Sequence, residues 1–211
     1  MKALRAWGMV VAFVAVVAGV LWLVWNYNLR WKPHAITKHQ AEISKAVETA
    51  GWVSPHLTGP KLYVICPRTD AACLRFQVQE FTKLQTGGID TRFIAIAPPD
   101  ANGQPQSTPA ERATVAELWL NRSWKLYQQW NAAPPAAWAA PGLPPADGDV
   151  ARTAVVELGR KLMADLAPML DDNGIKSGYP ILIWWTKDGQ MHGCACDRRE
   201  TYRAMETELG V

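Results

Sequence analysis

Lys61-Leu62-Tyr63-Val64-Ile65-Cys66-Pro67-Arg68-Thr69-Asp70-Ala71-Ala72-Cys73-Leu74-Arg75-Phe76 changes character twice along its length. Lys61 to Cys66 is apolar enough for a strand buried on both faces, as strands of a parallel sheet are. A polar turn follows. From Cys73 to Gln85 the apolar residues Leu74, Phe76, Phe81 and Leu84 mark a helix, which Thr86-Gly87-Gly88 ends. Thr91 to Ala97 is a second buried strand, stopped by Pro98-Pro99. The unit therefore reads strand, helix, strand.

Downstream, an Asp100-Ala101-Asn102-Gly103-Gln104-Pro105 loop leads to two expected helices, Pro109 to Trp130 and Val150 to Leu170. Between them Ala132 to Asp149 carries five prolines, too many for a helix, and reads as an extended surface connector. Ile181 to Thr186 is a strand, Lys187-Asp188-Gly189 a tight turn, Gln190 to Cys194 a partner strand, and Asp197 to Leu209 a closing amphipathic helix. A β-α-β unit followed by a β-β-α unit is the core of the thioredoxin fold. The expected class is therefore α/β, thioredoxin-like, with a helical insertion at about residues 100–172.

Several segments carry a closer resemblance. Asp70-Ala71-Ala72-Cys73-Leu74-Arg75-Phe76 lies at the strand-to-helix junction where thioredoxin-fold enzymes place Cys-x-x-Cys, and Ser177-Gly178-Tyr179-Pro180-Ile181-Leu182 has the form of the segment that supplies their cis-proline. With Glu157 to Leu166, Ser123 to Trp130, and Val47-Glu48-Thr49-Ala50-Gly51-Trp52, the chain from about Ile43 onward resembles the DsbG and DsbC family of periplasmic thiol–disulfide isomerases, DsbG in particular. The resemblance implies a periplasmic domain with a peptide-binding surface beside Pro180, to which Tyr179 and Asp70 would contribute. It implies no cofactor.

Two departures qualify it. The family has an amino-terminal dimerisation domain, and here an apolar segment takes its place. A gapless match also puts Cys73 where the family has its resolving cysteine and Asp70 where it has the nucleophile, so the Cys-x-x-Cys is absent. A carboxylate at position 70 can cap the helix and enjoy its dipole, but it cannot form a mixed disulfide. An N-cap is the plain expectation for Asp70.

All four cysteines remain candidates for redox or structural disulfide roles. Cys66 ends the first strand, Cys73 opens the helix, and Cys194-Ala195-Cys196 ends the last strand. In this fold the first and last strands run parallel, which brings all four to one end of the sheet. In an oxidising compartment two structural disulfides are the default, with either local pairing or cross-pairing of Cys66 and Cys73 with Cys194 and Cys196. A redox-active Cys194–Cys196 bridge is the sharper alternative, because strained or exposed disulfides are the labile ones. The weakest option is a metal site: His192, Cys194 and Cys196 alternate on a strand and share a face, and Cys66 or Cys73 could complete a tetrahedral set for zinc or copper.

Of 211 residues, 49% are hydrophobic and 19% charged, which fits one folded domain with an appendage. A net charge of +3, with no basic run, argues against a nucleic-acid partner. No phosphate loop, Gly-x-Ser-x-Gly or His-Glu-x-x-His is present. The appendage is the run Trp7 to Trp25, uncharged and about 28 Å long as a helix, close to the ~30 Å hydrocarbon layer. Bulky Leu21-Trp22-Leu23-Val24-Trp25 stands where a signal-peptide cleavage site would need small residues, so an uncleaved span through residues 7–25 is expected.

The expected organisation is an N-terminal membrane anchor at 1–29, a stalk and linker helix at 30–58, and a thioredoxin-like domain at 59–211. Flanking charges give almost no vote on orientation. The family resemblance sets it: a single-pass protein of the bacterial inner membrane with its C-terminal domain in the periplasm. Two functions follow. One is a binding or assembly subunit of a cell-envelope machine, of secretion or conjugation type. The other is thiol–disulfide interchange on exported protein clients through non-standard cysteines.

Overall fold

The computed structural model describes the backbone of residues 2–25 and 33–211, with side chains from residue 13. Helix α1 spans Lys2–Val24. Among the described residues no helix is long and apolar enough to cross a membrane. Residues 7–12 of the expected span lie outside the described side chains, and those from Phe13 to Trp25 are exposed.

Six strands form one mixed sheet: β1 (His34–Ala35), β2 (Trp52–Val53), β3 (Lys61–Pro67), β4 (Asp90–Ile96), β5 (Ile181–Trp185) and β6 (Met191–Ala195), in the order β1-β6-β5-β3-β4-β2. β3 and β4 are parallel, joined through α3 (Ala71–Thr86), whereas β5 is antiparallel to both β3 and β6. The inner four strands, β6-β5-β3-β4, have the thioredoxin arrangement. Strands β3, β4 and β5 are buried on both faces because helices cover both, as their near-continuous apolar runs require.

Alternate residues divide the core. Leu62, Val64, Cys66, Phe93, Ala95, Leu182 and Trp184 face a layer containing α3 and α7 (Arg199–Leu209). Tyr63, Ile65, Ile94, Ile96, Ile181 and Ile183 face the other layer, built by α2 (Gln40–Thr49) and α6 (Val150–Asp171). The insertion between β4 and β5 supplies α4 (Pro109–Asn121), α5 (Trp124–Ala132) and α6.

Two expectations need correction. Residues 34–53 do not stand off as a stalk. β1 and β2 are the two edge strands, and α2 buries Ile43 and Val47 beside Leu162, Leu166 and Leu170 of α6. Ile43 and Val47 share one face of α2, and burying them together with Ile36, which follows β1, draws the whole segment onto the sheet. Gly51 permits the turn into β2, because a Cβ there would lie 2.4 Å from the Trp119 ring. The expected helix from Pro109 to Trp130 is two helices. Arg122 turns left-handed at φ 48°, and the Ser123 hydroxyl accepts from Leu126 N–H to start α5. The connector after α5 is irregular as expected, apart from a 3-10 turn at Pro135–Ala137.

Candidate functional site

The carboxyl end of β3 delivers Cys66, and the first turn of α3 delivers Cys73. Between them Asp70 is the N-cap of α3: its Oδ1 accepts from the backbone N–H of Ala72 at 2.8 Å and of Cys73 at 2.9 Å. Asp70 thus uses the N–H groups that a nucleophilic thiolate at this helix start would draw on. Cys66 and Cys73 are disulfide-bonded, with Cα atoms 5.9 Å apart, at 1% and 0% exposure.

Arg68 closes the loop that this disulfide spans. Its guanidinium donates to the Trp130 and Ala133 carbonyls at the end of α5 and sits 5.0 Å from the Trp130 ring centre. Burial pulls the Arg68 pKa down, and the nearby Glu111 opposes that pull. The loop is fastened to the helical insertion on one side and to α3 on the other. Sequence reasoning missed the clamp, since a lone arginine after a strand carries no periodic signal.

The second disulfide joins Cys194 and Cys196, with Cα atoms 5.3 Å apart. Register explains how it meets the first. Leu182 pairs with both Val64 and Cys194, and Ile181 pairs with both Ile65 and Ala195. One row further, Cys196 N–H donates to the Pro180 carbonyl at 2.9 Å, which aligns Cys66, Pro180 and Cys196 across β3, β5 and β6. Because side chains alternate along a strand, all four cysteines lie on the α3/α7 face. The Tyr179–Pro180 peptide bond is cis.

Pairing is therefore local in both cases, one of the two alternatives left open by the sequence. The residues of the metal option have other partners. The Cys194 and Cys196 sulfurs are bonded to each other, and His192 Nδ1 meets Glu208 Oε2 at 2.7 Å. No group of three His, Cys, Asp or Glu side chains among the described residues is arranged to hold a metal.

An open groove runs over this end of the sheet. Asp70, Gly178, Tyr179, Cys194, Asp197 and Thr201 line it. Tyr179 and Asp70, expected beside Pro180 as binding residues, do share this groove, and Cys194 forms part of its wall. Burial raises the Tyr179 phenol pKa and the Asp70 charge adds to the shift, so Tyr179 stays a neutral hydroxyl there. Tyr202, pushed up mainly by burial, donates its hydroxyl to the Cys196 carbonyl at 3.2 Å and packs edge-on against Phe76 of α3. Cys66 and Cys73 do not line the groove.

No family model matches the sequence, and no curated protein matches it. Solved structures do resemble it in fold. BcfH of Salmonella enterica Typhimurium is 15% identical with a TM-score of 0.51, over 98% of this chain and 95% of that one. ScsC of Proteus mirabilis in a compact conformation is 11% identical with a TM-score of 0.49, over 98% and 97%. The thiol-disulfide exchange protein alpha-DsbA2 of Wolbachia pipientis is 15% identical with a TM-score of 0.40, over 79% and 92%. The fold is mixed α/β and thioredoxin-like, as its own strand order and the likeness to BcfH agree.

Proposed function

We propose that this chain is a membrane-anchored thiol–disulfide exchange protein acting on exported polypeptides, with its thioredoxin-like domain in the bacterial periplasm. One observation carries the reading: a disulfide, Cys194–Cys196, forms part of the wall of an open groove beside the cis-Pro180 segment. Such a groove admits an extended peptide, and a disulfide in its wall offers a sulfur for attack. A wholly structural bridge has no need to line it. The DsbG-like segments favour the isomerase branch, and the apolar run through residues 7–25 is the proposed inner-membrane anchor.

Asp70 favours a second reading, a binding or assembly subunit of a secretion or conjugation machine. A carboxylate caps the helix where the resembled family has its nucleophile. Redox titration separates the two. The full chain in detergent is equilibrated in thiol–disulfide buffers, alkylated, and each cysteine mapped by mass spectrometry. Exchange requires at least one bridge to titrate between about −120 and −270 mV, the range of exchange proteins. Both bridges remaining oxidised below about −300 mV, as structural disulfides do, overturns the exchange function and leaves the binding role. A C-terminal reporter active only after export tests the topology. Its activity in the cytoplasm would refute the periplasmic placement.

A further inference from the structure

Resting on the exchange function proposed above, we infer that the exchange-active cysteine pair has moved from the start of α3 to the strand end that precedes α7. Cys194 is the sulfur reached from the groove, Cys196 is its buried partner, and Cys66–Cys73 is a closed structural bridge.

Three observations converge. The first is access: Cys194 is 5% exposed and lines the groove, whereas Cys196, Cys66 and Cys73 are at 1%, 1% and 0%. The second is the state of the two helix starts. At α3, Asp70 Oδ1 takes the N–H groups of Ala72 and Cys73. At α7, eleven residues long, the N-cap is Arg198, which makes no side-chain capping bond; Thr201 N–H turns back to the Arg198 carbonyl at 3.1 Å, which leaves the N–H groups of Arg199 and Glu200 outside the helix's own hydrogen bonds. Cys196 stands two residues before that N-cap. The third is Thr201, in the first turn of α7. It is 3% exposed, it lines the groove with Cys194, and its Oγ1 has no hydrogen-bond partner among the described residues. A buried hydroxyl left without a partner fits a group that acquires an acceptor when the disulfide opens.

The step balances within the protein and a client dithiol. A client thiolate attacks Cys194 Sγ, a client–Cys194 bond forms, the Cys194–Cys196 bond breaks, and its electron pair leaves on Cys196 Sγ. The N–H groups of Arg199 and Glu200 at the start of α7 and the Thr201 hydroxyl are the donors assigned to that thiolate. The client's second thiolate then attacks the client's own sulfur and releases Cys194. The client ends as a disulfide, and Cys194 and Cys196 end as thiols, having gained two electrons and the two protons the client thiols gave up. Asp70, Asp197 and Lys176 line the same groove, so the stabilisation offered is local hydrogen bonding rather than net positive charge.

Full-length protein in detergent is the test material, and a glutathionylated cysteine peptide is the trapping probe. Cys196→Ser, with Cys194 free, accumulates a mixed disulfide with the peptide. Cys194→Ser, with Cys196 free, reacts at least about tenfold more slowly. In the unmodified chain under dithiothreitol, Cys194–Cys196 opens first and Cys66–Cys73 stays closed, read by differential alkylation. Thr201→Val slows that opening about threefold to tenfold, and Thr201→Ser restores it, with unfolding midpoints unchanged in both. Trapping at Cys196 as fast as at Cys194, or earlier opening of Cys66–Cys73, overturns the inference while leaving exchange intact. A Thr201→Val rate unchanged, or one that Thr201→Ser fails to rescue, removes that hydroxyl from the step. Neither bridge opening under any buffer is instead the failure of the exchange function itself.

Discussion

Removing each disulfide in turn should cost different amounts, and the difference follows from loop length. Cys66 and Cys73 are seven positions apart and close an eight-residue loop, while Cys194 and Cys196, two apart, close a loop of three. In the chain-entropy treatment a loop of eight removes roughly 8.3 cal/mol/K from the unfolded chain, about 2.5 kcal/mol at 25 °C, and a loop of three about 1.6 kcal/mol. Double alanine variants remove the same sulfur atoms from the same apolar layer in both cases. Their difference, about 0.9 kcal/mol, therefore isolates the loop term. Urea unfolding followed by tryptophan fluorescence would register it. With m near 2 kcal/mol/M, the loop term alone lowers the Cys66→Ala/Cys73→Ala midpoint by about 1.2 M and the Cys194→Ala/Cys196→Ala midpoint by about 0.8 M, and the lost sulfur contacts lower both further. A larger loss from the second pair would refute the reasoning, because it would make the groove-lining bridge the main staple of the fold.

Further tests address the groups around the site. Glu80 of α3 is pushed up to about 7, first by burial and then by Glu206 of α7, while Lys83 bonds Glu206 and opposes the rise. In the folded state Glu80 thus holds a proton that it would lose near its ordinary value when unfolded. Stability falls as pH rises from about 4.5 to about 7 and then levels off, and Glu80→Gln should flatten that slope and stabilise the protein at pH 8 by about 1–3 kcal/mol in urea titrations. Arg68→Met strands the Trp130 and Ala133 carbonyls and should cost about 2–4 kcal/mol, with faster amide exchange confined first to residues 130–149. Asp70→Ala removes the α3 cap and should cost about 1 kcal/mol by the same measurement, with the redox titration of Cys194–Cys196 unmoved.

Much of the sheet was legible because β3, β4 and β5 are apolar on both faces, a pattern that only a two-sided core requires. The break between α4 and α5 was not, since the apolar positions run through Trp119, Trp124 and Trp130 without interruption. Only Ser123, a capping residue in mid-pattern, marked it. Folding of residues 34–53 onto the sheet was concealed for a different reason. Strands of two residues, His34–Ala35 and Trp52–Val53, are too short to show alternation, and their place is set by partners far away in sequence. Among site residues, Asp70 as a cap was readable from its place before the helix, and Pro180 as the cis-proline was implied by the family resemblance. The pairing of four cysteines was not, because it depends on which sulfurs the row Cys66–Pro180–Cys196 brings to one face.

That row also explains why losing the usual nucleophile need not silence this end of a thioredoxin sheet. β3 and β6 are parallel, so each ends at the same edge, and each is followed by a helix whose N-terminus points back to that edge. The fold thus presents two helix starts beside one groove, α3 after β3 and α7 after β6. A thiolate can be stabilised by unshared N–H groups at either, and a carboxylate cap removes only the one it occupies. Here Asp70 caps the α3 start, and the sulfur pair whose Cys194 lines the groove stands before the α7 start, whose N-cap Arg198 makes no side-chain capping bond. Transferring the cap should therefore transfer the reactivity. Arg198→Asp places a carboxylate at the α7 N-cap, and it should slow dithiothreitol opening of Cys194–Cys196 without opening Cys66–Cys73. An unchanged opening rate would mean that access to Cys194, and not the helix start behind Cys196, governs the bridge.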